Sequence, residues 1–246
     1  MQLSNQVAVI TGGTSGIGLA SATTFAREGA RVVVFARHES ETARAAVGPR
    51  GELVLGDVTR PLDLERLFAG TQTRFGKVDV LFVNAAIIKL APITETSDAL
   101  LDEIVDTNLK GSFRTLRAAI PYLADGASVI LTTSWINRIG FPGASVSSMT
   151  KAALRSLVRV ASAELAPRKI RVNALSPGAI ETPLWGKLGL PEETLRSAGS
   201  QITSQIPLGR WGKADELANA ALFLASSASA YVNGIELGVD GGMRHS

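Results

Sequence analysis

The chain has 246 residues, 46% of them hydrophobic and 19% charged, with a net charge of +3, enough to build one large α/β domain or two small ones. Cysteine is absent and histidine occurs only twice, so disulfides and thiolate metal sites are excluded and a zinc centre is not expected. No run of Lys and Arg with interleaved aromatics suggests nucleic acid, and no apolar run nears the roughly 20 residues that cross a bilayer. The opening "MQLSNQVAVITGG" enters a strand too early for a secretory signal, so a cytoplasmic location is expected.

From the N-terminus onward, short β-branched runs alternate with helical patterns. Val7–Ile10, Val32–Phe35, Leu53–Leu55, Val80–Val83, Val129–Leu131 and Ile170–Ala174 are continuous apolar stretches of the kind buried on both faces of a parallel sheet, and "GIELGVDGG" adds a last one. Helical patterns fall at about 16–28, 62–75, 98–123, 147–166 and 214–226. The alternation predicts one α/β domain, a Rossmann-type doubly wound parallel sheet of about seven strands with helices on both faces. Residues 183–212 break the rhythm: they are rich in Gly, Pro and Ser, with a helical patch near 191–200, and read as a substrate loop or lid.

The first strand runs into "TGGTSGIGLA". Gly12 permits a tight turn, Gly16 admits a pyrophosphate against the backbone, and Gly18 lets helix and strand pack closely. The anion would lie on the N–H groups of the helix start, beside Thr14, Ser15 and Ile17. A glycine cluster alone is weak, but this one follows a strand, opens a helix and begins a βαβ unit.

The spacing Gly-x-x-x-Gly-x-Gly resembles that of the short-chain dehydrogenase/reductase family, and further motifs occur in the family's order across nearly the whole chain. Asp57 and Val58 resemble its adenine-contacting pair, and "NAA" (Asn84, Ala85, Ala86) its Asn-Ala-Gly motif, with Ala86 departing from glycine. Asn108 in "DTNLKG" matches its helix asparagine. "SPGAIETP" resembles its Pro-Gly segment, in which Pro177 and Gly178 precede Ile180 and Thr182, which would hold the nicotinamide carboxamide; "YVNGIELGVDGG" resembles its C-terminal strand. The resemblance implies a nicotinamide cofactor, a small-molecule substrate and, through the helices near 98–123 and 147–166, a homotetramer.

NAD enzymes commonly place an acid about 20 residues beyond the glycine turn to bind the ribose 2′-hydroxyl. Here "VVVFARHES" offers Arg37 and His38 instead, and an arginine without a competing acid suits the 2′-phosphate of NADP(H). An ordinary solvated loop arginine is the plainer reading of Arg37 alone.

The family resemblance also implies a catalytic serine, tyrosine, lysine and asparagine. Ser134 follows "VILTT" at the end of the fifth predicted strand, and Lys151 opens "KAALRSLVRVASAEL". The family's tyrosine, a proton donor, should stand four residues before the lysine; in "ASVSSMTKAA" that place is Ser147. The only tyrosines, Tyr122 and Tyr231, read as packing residues. Four readings stay open: a ketone reductase whose tyrosine was replaced, a naturally Tyr-less enzyme for an imine, iminium or activated C=C bond, a different reaction on the same fold, or a non-catalytic NADP-binding regulator. Trp135, Phe141, Leu184, Trp185 and Ile87 are candidates for an apolar substrate pocket, though lid and core packing would explain them equally. Arg138 either meets an acidic group or faces solvent.

Overall fold

Seven strands lie parallel in one sheet: β1 (Val7–Thr11), β2 (Arg31–Ala36), β3 (Glu52–Leu55), β4 (Val78–Val83), β5 (Leu123–Thr132), β6 (Arg171–Pro177) and, last in the chain, β9 (Glu236–Val239). Their order is β3-β2-β1-β4-β5-β6-β9 in a computed structural model that describes residues 1–186 and 192–245, apart from the side chains of Leu184, Thr194 and His245. The order reverses between β1 and β4, which opens a crevice at the carboxyl ends of these strands, the place where doubly wound sheets bind ligands.

The continuous apolar runs do what their composition demands. Val9 and Val33 point into one core with Leu64, Leu67 and Phe68 of α3 (Pro61–Phe75) and Leu154 and Val158 of α6 (Ser145–Glu164). Their neighbours Ala8, Ile10, Val32 and Val34 point the other way, onto Ala22 and Phe25 of α1 (Gly16–Arg27) and Leu217, Ala221 and Leu224 of α9 (Ala214–Ala225). Period-two alternation within an all-apolar strand thus feeds two cores, and both faces of the sheet are covered.

Several expectations are adjusted. A helix absent from the sequence reading, α2 (Glu41–Val47), follows β2, with Ser40 Oγ accepting from the Ala43 N–H at 3.1 Å as its cap. The helix expected at 98–123 comes as α4 (Asp98–Ile104) and α5 (Ser112–Ala119), joined through a π-helical stretch at Val105–Gly111 and ending in a 3₁₀ turn at Ile120–Tyr122. Tyr122 packs against Phe68, as expected, but Tyr231 is fully exposed and packs against nothing.

The excursion after β6 has its own small frame. Strands β7 (Ile180–Glu181) and β8 (Gly212–Lys213) pair in parallel at its two ends, with α7 (Pro183–Gly186) and α8 (Glu192–Ser204) between them. The expected lid at 183–212 also includes 187–191, which lie outside the described residues.

Candidate active site

A single pocket of about 380 Å³ occupies the crevice, a volume typical of small-molecule sites. Its floor begins at the β1–α1 turn. Gly12 has φ +69° and Gly16 φ +52°, conformations that side chains resist, and a Cβ on Gly12 would meet Ala85 Cα at 2.8 Å. A Cβ on Gly18 would overlap the Gly12 carbonyl oxygen, so Gly18 is the packing glycine of the three; of the sequence-derived site residues it alone does not line the pocket. Ser15 stands at the N-cap of α1 with no side-chain capping bond, which leaves its hydroxyl and the first N–H groups of the helix facing the crevice.

The turn is locked to its neighbours by Asn84, at the end of β4. Its Nδ2 donates to the Thr11 and Gly12 carbonyls at 3.2 and 3.3 Å, its Oδ1 accepts from Thr132 Oγ1 at 3.3 Å, and its N–H donates to Thr11 Oγ1 at 3.0 Å. One amide therefore ties together the ends of β1, β4 and β5.

At one end of the pocket Arg37 and His38 are exposed beyond β2, and Arg37 has no ion-pair partner among the described residues. The nearest acid in sequence, Glu39, is taken by Arg44 at 2.6 Å. Asp57 and Val58 lie beside them past β3, where Asp57 Oδ1 accepts from the Thr59 N–H and hydroxyl, both at 2.8 Å. Pro177, Gly178, Ile180 and Thr182 line the opposite wall, with Thr14, Ile17 and Ala85 between.

The other end gathers Asn108, Ser134, Ser147 and Lys151. Asn108 lies in the π-helical stretch and forms a two-way bond with the Ile87 backbone: Oδ1 accepts from the N–H and Nδ2 donates to the carbonyl, both at 2.9 Å. It thereby fixes the chain after Ala86. Ser134 heads a 3₁₀ turn at Trp135–Asn137, and Ser148 Oγ on α6 donates to the Ile136 carbonyl at 2.7 Å, which joins that turn to the helix carrying Ser147 and Lys151. Ser147 is 3% exposed and its Oγ has no hydrogen-bond partner. Lys151 is also buried and donates from Nζ to the Thr132 carbonyl at 2.8 Å. With no carboxylate beside it, loss of hydration dominates and holds its pKa down at about 8.

Beyond these groups the wall is apolar. Trp135 packs edge-on to Phe141 at 5.4 Å between ring centres, and Trp185 edge-on to Trp211 at 4.8 Å, with Ile136, Ala144 and Ile202 beneath. Ile87 joins this wall; the Leu184 side chain lies outside the described residues. The sequence reading missed Trp211 and Ile202, which arrive from residues 60 or more positions after Ser134 and show no local pattern.

It also missed Glu236. Buried in β9, this carboxylate accepts from Thr133 Oγ1 at 2.8 Å, Asn137 Nδ2 at 2.6 Å and Arg138 Nε at 3.0 Å, and pairs with Arg155 at 3.4 Å and Arg244 at 3.2 Å. Arg138 is thus accounted for: it meets an acidic group, but one of its own chain. Burial pushes the Glu236 pKa up, yet the hydrogen bonds from Asn137, Thr133 and Arg138 outweigh it and leave the carboxyl below its ordinary 4.5. The residues on both sides of Ser134 are therefore anchored to the last strand. A charge inside an otherwise apolar strand was the available signal.

A parallel sheet with its crevice at the strand-order reversal, a glycine turn beneath it and a buried lysine at its far end define an enzyme-like α/β dinucleotide fold. Residues 12–244 match the family described as enoyl-(acyl carrier protein) reductase. Oxidoreductase asL5 of Sarocladium schorii is 38% identical over 246 residues, covering 98% of this chain and 97% of the relative. The 3-oxoacyl-(acyl-carrier-protein) reductase FabG of Thermotoga maritima is 35% identical over 250 residues, covering 99% of both. Among solved structures, levodione reductase superposes with a TM-score of 0.92 at 31% identity over 99% of each chain. The chain belongs to the short-chain dehydrogenase/reductase family of oxidoreductases, which use nicotinamide cofactors.

Proposed function

We propose that this protein is an NADP(H)-dependent oxidoreductase that moves hydride between the nicotinamide and the carbon of a bulky, uncharged carbonyl or carbonyl-like group. The observation that carries the reading is the convergence of two separate sequence features, the Gly12–Gly18 turn and the buried Lys151, on one crevice. In this reading Gly12, Thr14, Ser15, Gly16 and Ile17 hold the pyrophosphate, while Gly18 keeps helix and strand close. Arg37 and His38 meet the 2′-phosphate, Asp57 and Val58 the adenine, Asn84 and Ala85 the nicotinamide-side ribose region, and Pro177, Gly178, Ile180 and Thr182 the nicotinamide. The backbone fits such a group, because the pyrophosphate would lie where side chains on Gly12 or Gly16 would be strained. When bound, the cofactor supplies or accepts the hydride.

Lys151 and Ser134 would orient the cofactor and the reacting oxygen, with Asn108 holding the adjoining chain. Ser147 occupies the position where the family carries its tyrosine. Its hydroxyl is a far weaker acid than a phenol, so the acid step is where this chain departs from its relatives. Ile87, Trp135, Phe141, Trp185, Trp211 and Ile202 place no charge at the substrate end, which supports an uncharged apolar substrate, and residues 183–212 would close over it. A homotetramer in the cytoplasm completes the reading.

The test is NADPH oxidation in the presence of matched bulky ketones, imines and enones; the panel spans C=C bonds because the matched family's description names an enoyl reductase and the Thermotoga relative's name a 3-oxoacyl one. Turnover of any of the three classes supports the reading. Tight NADPH binding with all three untouched would count against an oxidoreductase and favour an NADP-binding regulator.

A further inference from the structure

Resting on the oxidoreductase reading, we propose that Lys151 is itself the proton donor in this chain, delivering its proton to the reduced substrate oxygen directly or through one bridging water.

The inventory of the pocket is the first support. Among the described residues that line it, four carry ionisable side chains: Arg37, His38, Asp57 and Lys151. The first three sit past β2 and β3, at the far end from Ser134 and Ser147. Neither tyrosine reaches the crevice, since Tyr122 packs on Phe68 and Tyr231 stands in solvent. The hydroxyls of Ser134 and Ser147 can pass a proton along but are too weakly acidic to originate one at neutral pH. Among the described residues, Lys151 is the one remaining source at this end.

Geometry is the second support. An ammonium has three N–H donors, and the Thr132 carbonyl takes one at 2.8 Å. No other described residue accepts from Lys151, so two remain for ligands, enough for one ribose hydroxyl and one reacting oxygen or bridging water. Ser147 stands one turn before Lys151 on α6, and both residues line the crevice. At the Ser147 position this chain has a hydroxymethyl group rather than a phenol. Burial also keeps the group acidic enough to give up its proton near neutrality, in accord with the lowered pKa of about 8.

The step balances. A bound reduced nicotinamide would supply hydride to the carbonyl carbon; the oxygen that takes up the C=O π pair would then bond to the proton released as a Lys151 N–H breaks. The neutral amine then recovers a proton from water. Reduction requires the ammonium form, so the rate is flat at low pH and falls as pH rises through the Lys151 pKa.

Three measurements on the full-length protein decide the matter. The pH dependence of kcat/KM with NADPH and whichever carbonyl compound is turned over should fall above about pH 8. Lys151→Arg keeps the positive charge but cannot release a proton, so it should keep NADPH affinity within about threefold and lose about 100-fold or more in rate. Independently of turnover, NMR of lysine side chains in the cofactor-free protein, assigned by the same variant, should show one titration near 8. A rate indifferent to pH in that range, an arginine variant as fast as the parent, or an Lys151 titration in the ordinary range near 10.5 would each overturn the proposal. If the arginine variant does not fold, the pH profile of the parent decides alone. If NADPH binds and no carbonyl compound reacts, it is the oxidoreductase reading that fails, and the lysine assignment falls with it.

Discussion

The two ends of the crevice are specified in different ways. At the β1–α1 turn the backbone does the recognising: positive φ at Gly12 and Gly16, open helix N–H groups, and a Gly18 that tolerates no side chain. At the far end individual side chains gather, Asn108, Ser134, Ser147 and Lys151, and on the proposed reading Ser147 is the one that departs from the family pattern. On the proposed reading the contrast has a physical reason: a backbone-built site depends on its glycines, whereas a side-chain-built site can lose a proton donor at one residue without disturbing the fold.

The sharpest way to break this contrast is to restore the aromatic acid. Ser147→Tyr should raise ketone reduction by about 10²-fold or more, at the low end of the usual worth of a general acid because Lys151 already serves as one, with NADPH affinity nearly unchanged. Steady-state NADPH oxidation and a parallel binding titration check both halves of that statement. Equal gains in binding and rate would mean that the two ends are not independent.

Next in size is Gly18→Ala, which pushes a methyl group into the Gly12 carbonyl. It should cost about 3 kcal/mol or more, lowering the Tm by several degrees and weakening cofactor binding with it. Differential scanning fluorimetry with and without NADPH reads both effects.

Arg37→Met should then weaken NADPH by about 10- to 100-fold, as expected for a lost hydrogen bond to a charged group, and leave NADH within about twofold. Isothermal titration with both cofactors tests this, and an equal loss for both would remove the 2′-phosphate assignment.

The smallest effect concerns Glu236. Its folded pKa lies below its ordinary value, so its contribution to stability is complete at neutral pH and is lost as pH falls through the folded pKa. Glu236→Gln should lower stability by about 1–3 kcal/mol at pH 7 and flatten the acid limb of the stability profile, measured by urea unfolding from neutral to acidic pH.

How much was legible beforehand follows the same division. Six of the seven strands announced themselves as apolar runs because parallel strands bury both faces, and the seventh was carried by the C-terminal motif. The site glycines stood out because they follow a strand and open a helix, while Asn84, Asn108, Ser134 and Lys151 were reached through the family resemblance. What the sequence hid was non-local or short. At seven residues, α2 shows too little periodicity, although Ser40 before Glu41 marked its cap. The π-helical stretch at Val105–Gly111 leaves no trace in an apolar pattern that continues through it. Trp211 and Ile202 join the wall only because β7 and β8 pair and bring the ends of a long excursion together. Glu236 acquires partners from Thr133 just past β5, the 3₁₀ turn, α6 and the C-terminus, a neighbourhood that only the folded chain reveals.

The central claim, that the cofactor end is complete even though the acid position is altered, meets its most direct test in one titration of the unaltered protein. All three tryptophans, Trp135, Trp185 and Trp211, line the crevice, so bound reduced nicotinamide should quench their fluorescence by energy transfer. Saturable quenching by NADPH, at concentrations at least about tenfold below those needed for NADH, is the predicted result. Quenching by neither cofactor, or a preference for NADH, would contradict the account.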